Sequence, residues 1–349
     1  MAIPRIPDTS AENRFDLRLR SLPPSSLHPL LSRLAEAEAF RGWWDGVPKP
    51  PEAVLRRILA GVASESAAES TRLAGPPSVP AEAGYAETLR AAFDGHAGLP
   101  PDERCLQALH AGIFRYVAGT RSGAGRYKTA APAGTIDRRW VMEPVALRPP
   151  GPLLIPAQME TLSGWLSSRI GGGEFHPLLV CAAYLLELLA IRPFADGNGR
   201  VGRLLTNLLL LRCGHAYLPY GSLEKAIAGR WTEYYLALRK SQASRNLPRP
   251  DISPWLLAFL ETLLVSQRAA REAIGRFPDE GALSANQEAV LSLAAKRGEV
   301  TNRAVAEGLG LPRETAKQTL NRLTALGALL RMGAGRATRY RLTGQAPFP

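Results

Sequence analysis

Residues 191–203, IRPFADGNGRVGR, are the stretch on which the fold and function of this chain depend most. One acid, an asparagine between two glycines and three arginines lie between two apolar segments, HPLLVCAAYLLELLA and LLTNLLLL. Charge and backbone freedom are costly beside segments that have the composition of a buried core. We therefore interpret the stretch as a functional loop between two core helices.

The loop has the features of an anion site. Consecutive backbone N–H groups in a Gly-Asn-Gly turn can converge on an anion, and the helix that follows adds unsatisfied donors at its N-terminus. Arg200 and Arg203 are three residues apart, so both can reach the same side of that helix. A solvated surface turn is the alternative, and the crowding of these groups between apolar segments favours the anion site.

Asp196 suggests which anion is bound. Mg²⁺ typically takes one or two protein oxygens and completes its coordination with phosphate and water. A single carboxylate beside an anion-binding turn therefore predicts a nucleoside di- or triphosphate held with Mg²⁺.

The segment RPFADGNGRVGR resembles the signature of the Fic family (Fic/Doc, or Fido, fold), HPFx(D/E)GN(G/K)RxxR. The segments LQALHAGIFRY, GAGRYK, FHPLLV and YLPYGSLEKAI…YYLALRKSQ follow the order and spacing of bacterial Fic proteins with a helical N-terminal extension. The resemblance covers about residues 27–275. It implies a mainly α Fic/Fido core with a short β-hairpin flap, and AMP transfer from Mg·ATP to a Ser, Thr or Tyr hydroxyl of a protein.

The resemblance also implies a role for each loop residue. Phe194 holds the loop, and Asp196 binds Mg²⁺. The anion hole is formed by Gly197, Asn198 and Gly199, of which Asn198 is also counted as catalytic. Arg200 and Arg203 bind the outer phosphates. Residues 125–145 correspond to the flap that aligns the target segment. Tyr234 or Tyr235 borders the adenine, although paired aromatic residues on a helix are commonly part of a core.

The chain departs from the signature at its first position, where the family has a histidine that takes the proton from the attacking hydroxyl. Arg192 stands there instead. A guanidinium stays protonated at physiological pH and cannot act as a general base, and losing a positioned base costs ~10²–10⁴ in rate. We expect His176 and His215 to be structural, so neither replaces it.

Arg192 adds a third cation beside the phosphates. We therefore expect a site that binds ATP or ADP with Mg²⁺, in which transfer is weak, lost or altered. An engineered exchange and a reaction that needs no base both remain open. The alternative function is a pseudoenzyme that senses nucleotide and regulates transcription through DNA.

A glutamate upstream of the core is a candidate brake. Many Fic proteins carry an inhibitory helix, (S/T)xxxE(G/N), whose glutamate pairs with the second signature arginine. The segment SESAAESTRLAG is the candidate here, with Glu69 as the partner of Arg203. Glu65 and Ser70 depart from the pattern at its first and last positions. A solvated carboxylate on a helix face is the alternative for Glu69.

The C-terminal segment predicts a winged helix-turn-helix. In residues 284–342, ten Lys/Arg against four Glu give a net charge of +6, half of the +12 of the chain. A helix at about 302–307, the turn GLGLP and a helix opened by Pro312 are expected, with Ala316, Leu320 and Leu323 buried. The residues expected to contact DNA are Arg313, Lys317, Gln318 and Asn321 on the helix and Arg336 and Arg339 on the wing. A protein-interaction or dimerisation module is the alternative.

Composition and spacing also predict the domain boundaries, the location and the partners of the chain. Residues 1–98 form a loose arm, to about residue 25, and then a helical extension, in which periodic apolar residues predict helix from Leu27 to about Leu73. Residues 99–275 form the Fic core, in which a single helix is expected near 224–242. Residues 284–343 form the winged helix-turn-helix. Three cysteines without zinc-ligand spacing, no apolar leader and no membrane-spanning run indicate a cytoplasmic protein. The expected partners are a nucleotide, a protein hydroxyl and DNA, with a homodimer left open.

Overall fold

The computed structural model describes residues 14–50, 52–75, 78–99, 101–119, 123–130, 149–171, 173–245, 247–275, 284–325, 328–333 and 335–343. Within these residues the fold is mainly helical, which confirms the predicted class. The helices before the functional loop are α1 Arg14–Arg20, α2 Pro24–Gly46, α3 Glu52–Ala74, α4 Val79–Gly95, α5 Glu103–Ile113, α6 Ile155–Arg169 and α7 Pro177–Ile191. The expected hairpin of the flap, at 135–145, lies outside the described residues.

The helices after the loop are α8 Asn198–Arg212, α9 Leu223–Gly229, α10 Trp231–Ser244, α11 Ser253–Gly275, α12 Ala285–Arg297, α13 Asn302–Leu309 and α14 Arg313–Ala325. None of the helices in the described ranges combines the length and apolar composition that a bilayer span needs. The chain divides into two compact units. The first is drawn from Met1–Asp45 and Ala63–Ala269, and the second from Gly46–Val62 and Ala270–Pro349.

Two helices form the centre of the first unit. Nearly every residue of α7 is buried, as expected of a helix that is apolar on all sides. Pro177 opens α7, and the His176 side chain accepts a hydrogen bond from the Leu178 N–H. The face of α8 that meets α7 carries Gly202, where a Cβ would lie 3.0 Å from a methyl group of Leu185. This close approach fixes the two helices on either side of the loop.

The second unit combines three helices with a small sheet. Strands β1 Glu299–Val300, β2 Leu329–Met332 and β3 Arg339–Leu342 form an antiparallel sheet in the order β1-β3-β2. Helix α14 follows α13 after a short turn in which Gly310 has a φ of 63°. The core contains Ala316, Leu320 and Leu323, as the spacing predicted, and Val54 from the start of α3 packs into it.

Local expectations were wrong at three places. Residues 14–20 are not part of a loose arm, because α1 buries Phe15 and Leu19. The single helix predicted at 224–242 is two helices, since the backbone leaves helical geometry at Arg230, directly after Gly229. Pro312 precedes α14 instead of lying inside it, and its carbonyl accepts the first hydrogen bond, from the Ala316 N–H.

Candidate functional site

The loop between α7 and α8 begins with a strained residue. Arg192 ends α7 with φ 50° and ψ 65°, and its N–H still donates to the Leu188 carbonyl, 2.9 Å away. It is the one non-glycine among the described residues with a positive φ. This left-handed conformation is unfavourable for a residue with a Cβ, and such strain is typical of functional sites. The Arg192 side chain is exposed.

Asn198 closes the loop on itself. Its Oδ1 accepts the Phe194 N–H at 2.9 Å, and its Nδ2 donates to the Phe194 carbonyl at 2.8 Å. Both polar groups of the buried side chain are therefore used by the backbone of one residue. Asn198 therefore holds the shape of the loop with its Oδ1 and one of the two Nδ2 hydrogens.

A buried histidine supports the loop from α5. The ring of His110 stacks on Phe194 at 3.9 Å between centroids. Its Nδ1 accepts the Gly125 N–H at 2.9 Å, so Nε2 must carry the proton that is donated to the Asp196 carbonyl at 3.1 Å. Burial lowers the pKa of His110, which agrees with a neutral ring. This neutral tautomer fixes both Asp196 and the segment at Gly125.

Gly197 is required where the loop enters α8. Its φ is 74°, and a Cβ would lie 2.6 Å from the Phe114 ring. The φ value and the contact both exclude a larger residue. The loop can therefore turn tightly into the helix because this position has no side chain.

The first turn of α8 presents free donors. The N–H groups of Asn198, Gly199 and Arg200 have no acceptor among the described residues, whereas the Val201 N–H bonds to the Gly197 carbonyl at 2.9 Å. Three orphan donors at the positive end of a helix attract an anion. Anion binding by this turn stays a prediction, and these free donors, which we call the nest, are where it would occur.

Asp196 is exposed and already paired. Its Oδ1 accepts the Gly197 N–H at 2.6 Å, and its Oδ2 accepts from Arg200 at 2.9 Å. The Arg200 guanidinium is buried, lies 4.7 Å from the Phe114 ring centroid and has an Nε without a partner in the described structure. Burial lowers the pKa of Arg200, and Asp196 opposes that change. The pair orients Arg200 while leaving the carboxylate open to solvent.

Arg203 is held by α3 through a serine. Its Nε donates to Ser70 Oγ at 2.9 Å and its Nη2 to the Ser70 carbonyl at 2.8 Å. Glu69, the expected partner, forms an ion pair with Arg72 at 2.6 Å. Successive helical side chains point about 100° apart, so only one of these neighbours faces Arg203. A Cβ at Gly199 would lie 3.3 Å from Arg203 Nη1, which places this guanidinium beside the free N–H groups.

A buried polar network lies behind Arg203. Glu224 accepts hydrogen bonds from Tyr85 at 2.6 Å and from Asn207 at 2.9 Å, and Asn207 also donates to the Arg203 carbonyl at 3.1 Å. Burial raises the pKa of Tyr234, and the charges of Arg203 and Glu224 act on it too. Tyr234 is therefore close to this network as a core residue, packed edge-on against Trp255. A role beside adenine stays a prediction for Tyr234 and Tyr235.

The loop residues named from the sequence lie together in the structure, but two residues that support them were not predicted. His110 and Ser70 are 86 and 133 positions away from the residues that they hold. Nothing local in the sequence marks either one. His110 lies in LQALHAGIFRY, one of the segments that resemble Fic proteins. Ser70 was noted only because it departs from the inhibitory-helix pattern (S/T)xxxE(G/N).

In the second unit, one face of α14 is polar and exposed. Its exposed side chains include Arg313, Lys317, Gln318 and Asn321. Arg339 is exposed on β3, and the side chain of Arg336 lies outside the described part. Lys317 is 3.8 Å from Glu314 and Arg339 is 3.6 Å from Glu299, so some of this charge is neutralised within the unit.

Comparisons with known proteins agree with this site. Residues 100–210, which include the loop, match the model of the Fic/DOC family. A 67-residue segment is 43% identical to the protein adenylyltransferase Fic of Aedes aegypti and, over the same length, 42% identical to that of Drosophila willistoni. The matched segment is 19% of this chain but only 13% of either relative.

The fold is also found in solved structures. A Fic family protein from Desulfovibrio desulfuricans G20 superposes with a TM-score of 0.52 and 24% identity, covering 92% of this chain and 97% of that one. Fic-1 (aa134 - 508) from C. elegans superposes with a TM-score of 0.52 and 19% identity, covering 77% of this chain and 78% of that one. At these identities the similarity shows a shared fold.

Proposed function

We propose that this chain, whose residues 100–210 match the Fic/DOC family model, is a Fic protein. Its central loop binds the phosphates of ATP or ADP, and its transfer of AMP to a protein hydroxyl is weak, lost or altered. The main support is the juxtaposition of three free N–H groups with Arg203, whose described side-chain contacts are all with neutral Ser70. A guanidinium that forms no ion pair with a described carboxylate, beside a helix N-terminus, favours an anion with several charges.

Mg²⁺ fits this site through Asp196. Within the described residues no three acids, histidines or cysteines gather as a metal cage. Mg²⁺ does not need one when phosphates and water complete its shell, and the Asp196 side chain is 76% exposed. Asp196 would hold the ion, which would neutralise part of the negative charge of the phosphates.

The chain's own residues would divide the remaining work. The N–H groups of the nest and Arg203 bind and orient the phosphates, while Arg200 holds Asp196 in place. Asn198 and His110 keep the loop preorganised, because their hydrogen bonds are made before any ligand enters. Arg192 cannot accept a proton, so a neutral hydroxyl would attack without a base at this position.

The test combines calorimetry of Mg·ATP binding with transfer from α-labelled ATP. The wild-type chain, Arg192→His and Arg203→Ala are compared. We expect the wild type to bind ATP, Arg203→Ala to bind it more weakly, and protein labelling to rise by ~10²-fold or more in Arg192→His. A wild-type chain that labels protein as fast as Arg192→His would contradict the proposal.

We also propose, as a second function, that the C-terminal unit binds DNA. The support is the exposed polar face of α14, which follows α13 after a turn in the manner of a recognition helix. Anisotropy of a labelled DNA duplex, titrated with the full chain at about 50 and about 200 mM salt, tests this. Affinity should fall steeply with salt, and binding that is insensitive to salt would point to a protein partner.

A further inference from the structure

Two cations lie together at the start of the functional loop. The Lys128 N–H donates to the Pro193 carbonyl at 2.9 Å, which docks the segment around Lys128 directly beside Arg192. Lys128 is buried, with only 7% of the residue exposed, whereas Arg192 is exposed. In the parts of the chain that the structure describes, no acid pairs with either residue.

This arrangement is unfavourable without a ligand. Burial lowers the pKa of Lys128, and the positive charge of Arg192 lowers it further. No described carboxylate acts in the opposite direction on Lys128. The nearby acid of the loop, Asp196, is paired with Arg200. A buried cation beside a like charge, next to a strained backbone, marks a site where an anion is to be bound.

We propose that Lys128 and Arg192 form a second anion subsite, beside the nest, that binds the phosphate group of an acceptor substrate. The proposal rests on the proposed nucleotide site, since it assigns the acceptor for that same site. Two cations match a phosphate monoester or inorganic phosphate, which carries close to two negative charges at neutral pH.

Such an acceptor removes the need for a base. The attacking phosphate oxygen carries no proton at neutral pH, so Arg192 is not an obstacle. This oxygen forms a bond to the α-phosphorus of ATP, and the bond from that phosphorus to the bridging oxygen breaks. Pyrophosphate leaves with the electron pair, and the product carries AMP on the acceptor phosphate. With inorganic phosphate as the acceptor, the product that carries AMP is ADP.

The experiment uses the full chain with unlabelled ATP, Mg²⁺ and ³³P-labelled inorganic phosphate. Label should appear in the β-position of ADP, which hydrolysis of ATP cannot produce. Arg192→Asn removes the charge but tolerates the left-handed backbone, so it should fold normally and incorporate label at least tenfold more slowly. Its half-saturating phosphate concentration should rise.

Two further variants sharpen the result. Lys128→Met, checked by its melting temperature because the site is buried, should show the same loss. Arg203→Ala should also incorporate label more slowly, and a reaction without protein supplies the blank. If the wild-type chain binds nucleotide but incorporates no label above this blank, this inference is wrong while the proposed function stands. The same holds if Arg192→Asn incorporates label at the wild-type rate. Failure to bind nucleotide overturns the proposed function and this inference with it.

Discussion

Arg203 shows how the identity of one neighbouring residue determines the electrostatics of the site. Its guanidinium is buried, and it donates to the hydroxyl and carbonyl of Ser70 instead of pairing with a carboxylate. These neutral contacts fix its direction without neutralising its charge. The free charge then stays available to a phosphate, whereas a glutamate at the same contact would occupy it.

The exchange Ser70→Ala should therefore weaken Mg·ATP binding by about fivefold, because one hydrogen bond that positions Arg203 is lost. Calorimetry on the full chain measures this change. Glu69→Gln is the matched control on the adjacent residue, and it should leave the affinity unchanged. A large effect of Glu69→Gln with none of Ser70→Ala would restore the idea that Glu69 acts on Arg203.

Gly197 is the loop position that has least tolerance for a side chain. Gly197→Ala would place a Cβ against the Phe114 ring at a φ of 74°, so we expect a loss of about 1–3 kcal/mol in the free energy of unfolding. Gly164→Ala, in the middle of α6 with open space around it, should instead stabilise the chain slightly. Urea denaturation of both variants gives the comparison, and equal midpoints would refute the prediction.

At the scale of single residues, the sequence predicted the site residues that lie close together in the chain and missed those that reach the site from other helices. Asp196, Gly197, Arg200 and Arg203 come together through the geometry of one turn and one helix, which spacing encodes. His110 reaches the same loop from another helix by stacking and hydrogen bonding. Such contacts depend on tertiary packing, which no local pattern contains.

At the scale of helices, α7 is anchored by charge in an apolar surrounding. Glu187 interrupts its apolar run and forms a buried ion pair with Arg18 of α1, while Arg245 approaches it at 3.6 Å. Breaking a buried pair leaves an uncompensated charge and costs about 3–5 kcal/mol. This contact also explains why residues expected to be a loose arm form a packed helix.

Glu187→Gln should therefore lower the free energy of unfolding by an amount in that range of about 3–5 kcal/mol. Glu174→Gln is the control, because Glu174 pairs with Arg20 of the same helix α1 at an exposed position. The control should leave the urea midpoint unchanged. If both variants unfold at the same midpoint, the buried pair does not stabilise the contact between α1 and α7.

The buried His110 on α5 should make the stability of the folded chain depend on pH. Burial lowers the pKa of His110 below its ordinary value of 6.5, so the unfolded chain binds more protons once the pH falls below that value. Stability should be full above it and decline as the pH drops. His176, with a lowered pKa, and His215, with a pKa lowered to about 3 by burial, contribute with the same sign.

Melting temperatures at about pH 7.5 and about pH 5.5 measure this effect. The wild-type chain should melt lower at the acidic pH. His110→Asn should show a smaller difference between the two pH values, because one of the three contributing histidines is gone. An unchanged difference would mean that His110 does not hold its neutral form in the folded chain.

At the scale of the whole molecule, the sequence predicted where helices lie better than which unit each belongs to. Periodicity identified the helical character of α3, yet Gly46–Val62 groups with the C-terminal unit and the rest of the helix with the other. Val54 joins the core around Leu320 from more than 200 positions away. The predicted boundaries followed changes in composition along the chain, and composition does not show contacts between distant segments.

At the same scale, the exposed basic residues of the second unit predict how it binds DNA. Lys317→Ala, on the exposed face of α14, should weaken binding to a DNA duplex and reduce the slope of log affinity against log salt by about 1 if it contacts a phosphate. Arg303→Ala removes the same charge from α13, where Arg303 is exposed and paired with Glu307 at 2.7 Å. Anisotropy titrations of the full chain over a range of salt concentrations compare the two variants. A recognition role for α14 requires the Lys317 exchange to have the larger effect. Equal effects would indicate that only the net charge of the unit attracts DNA.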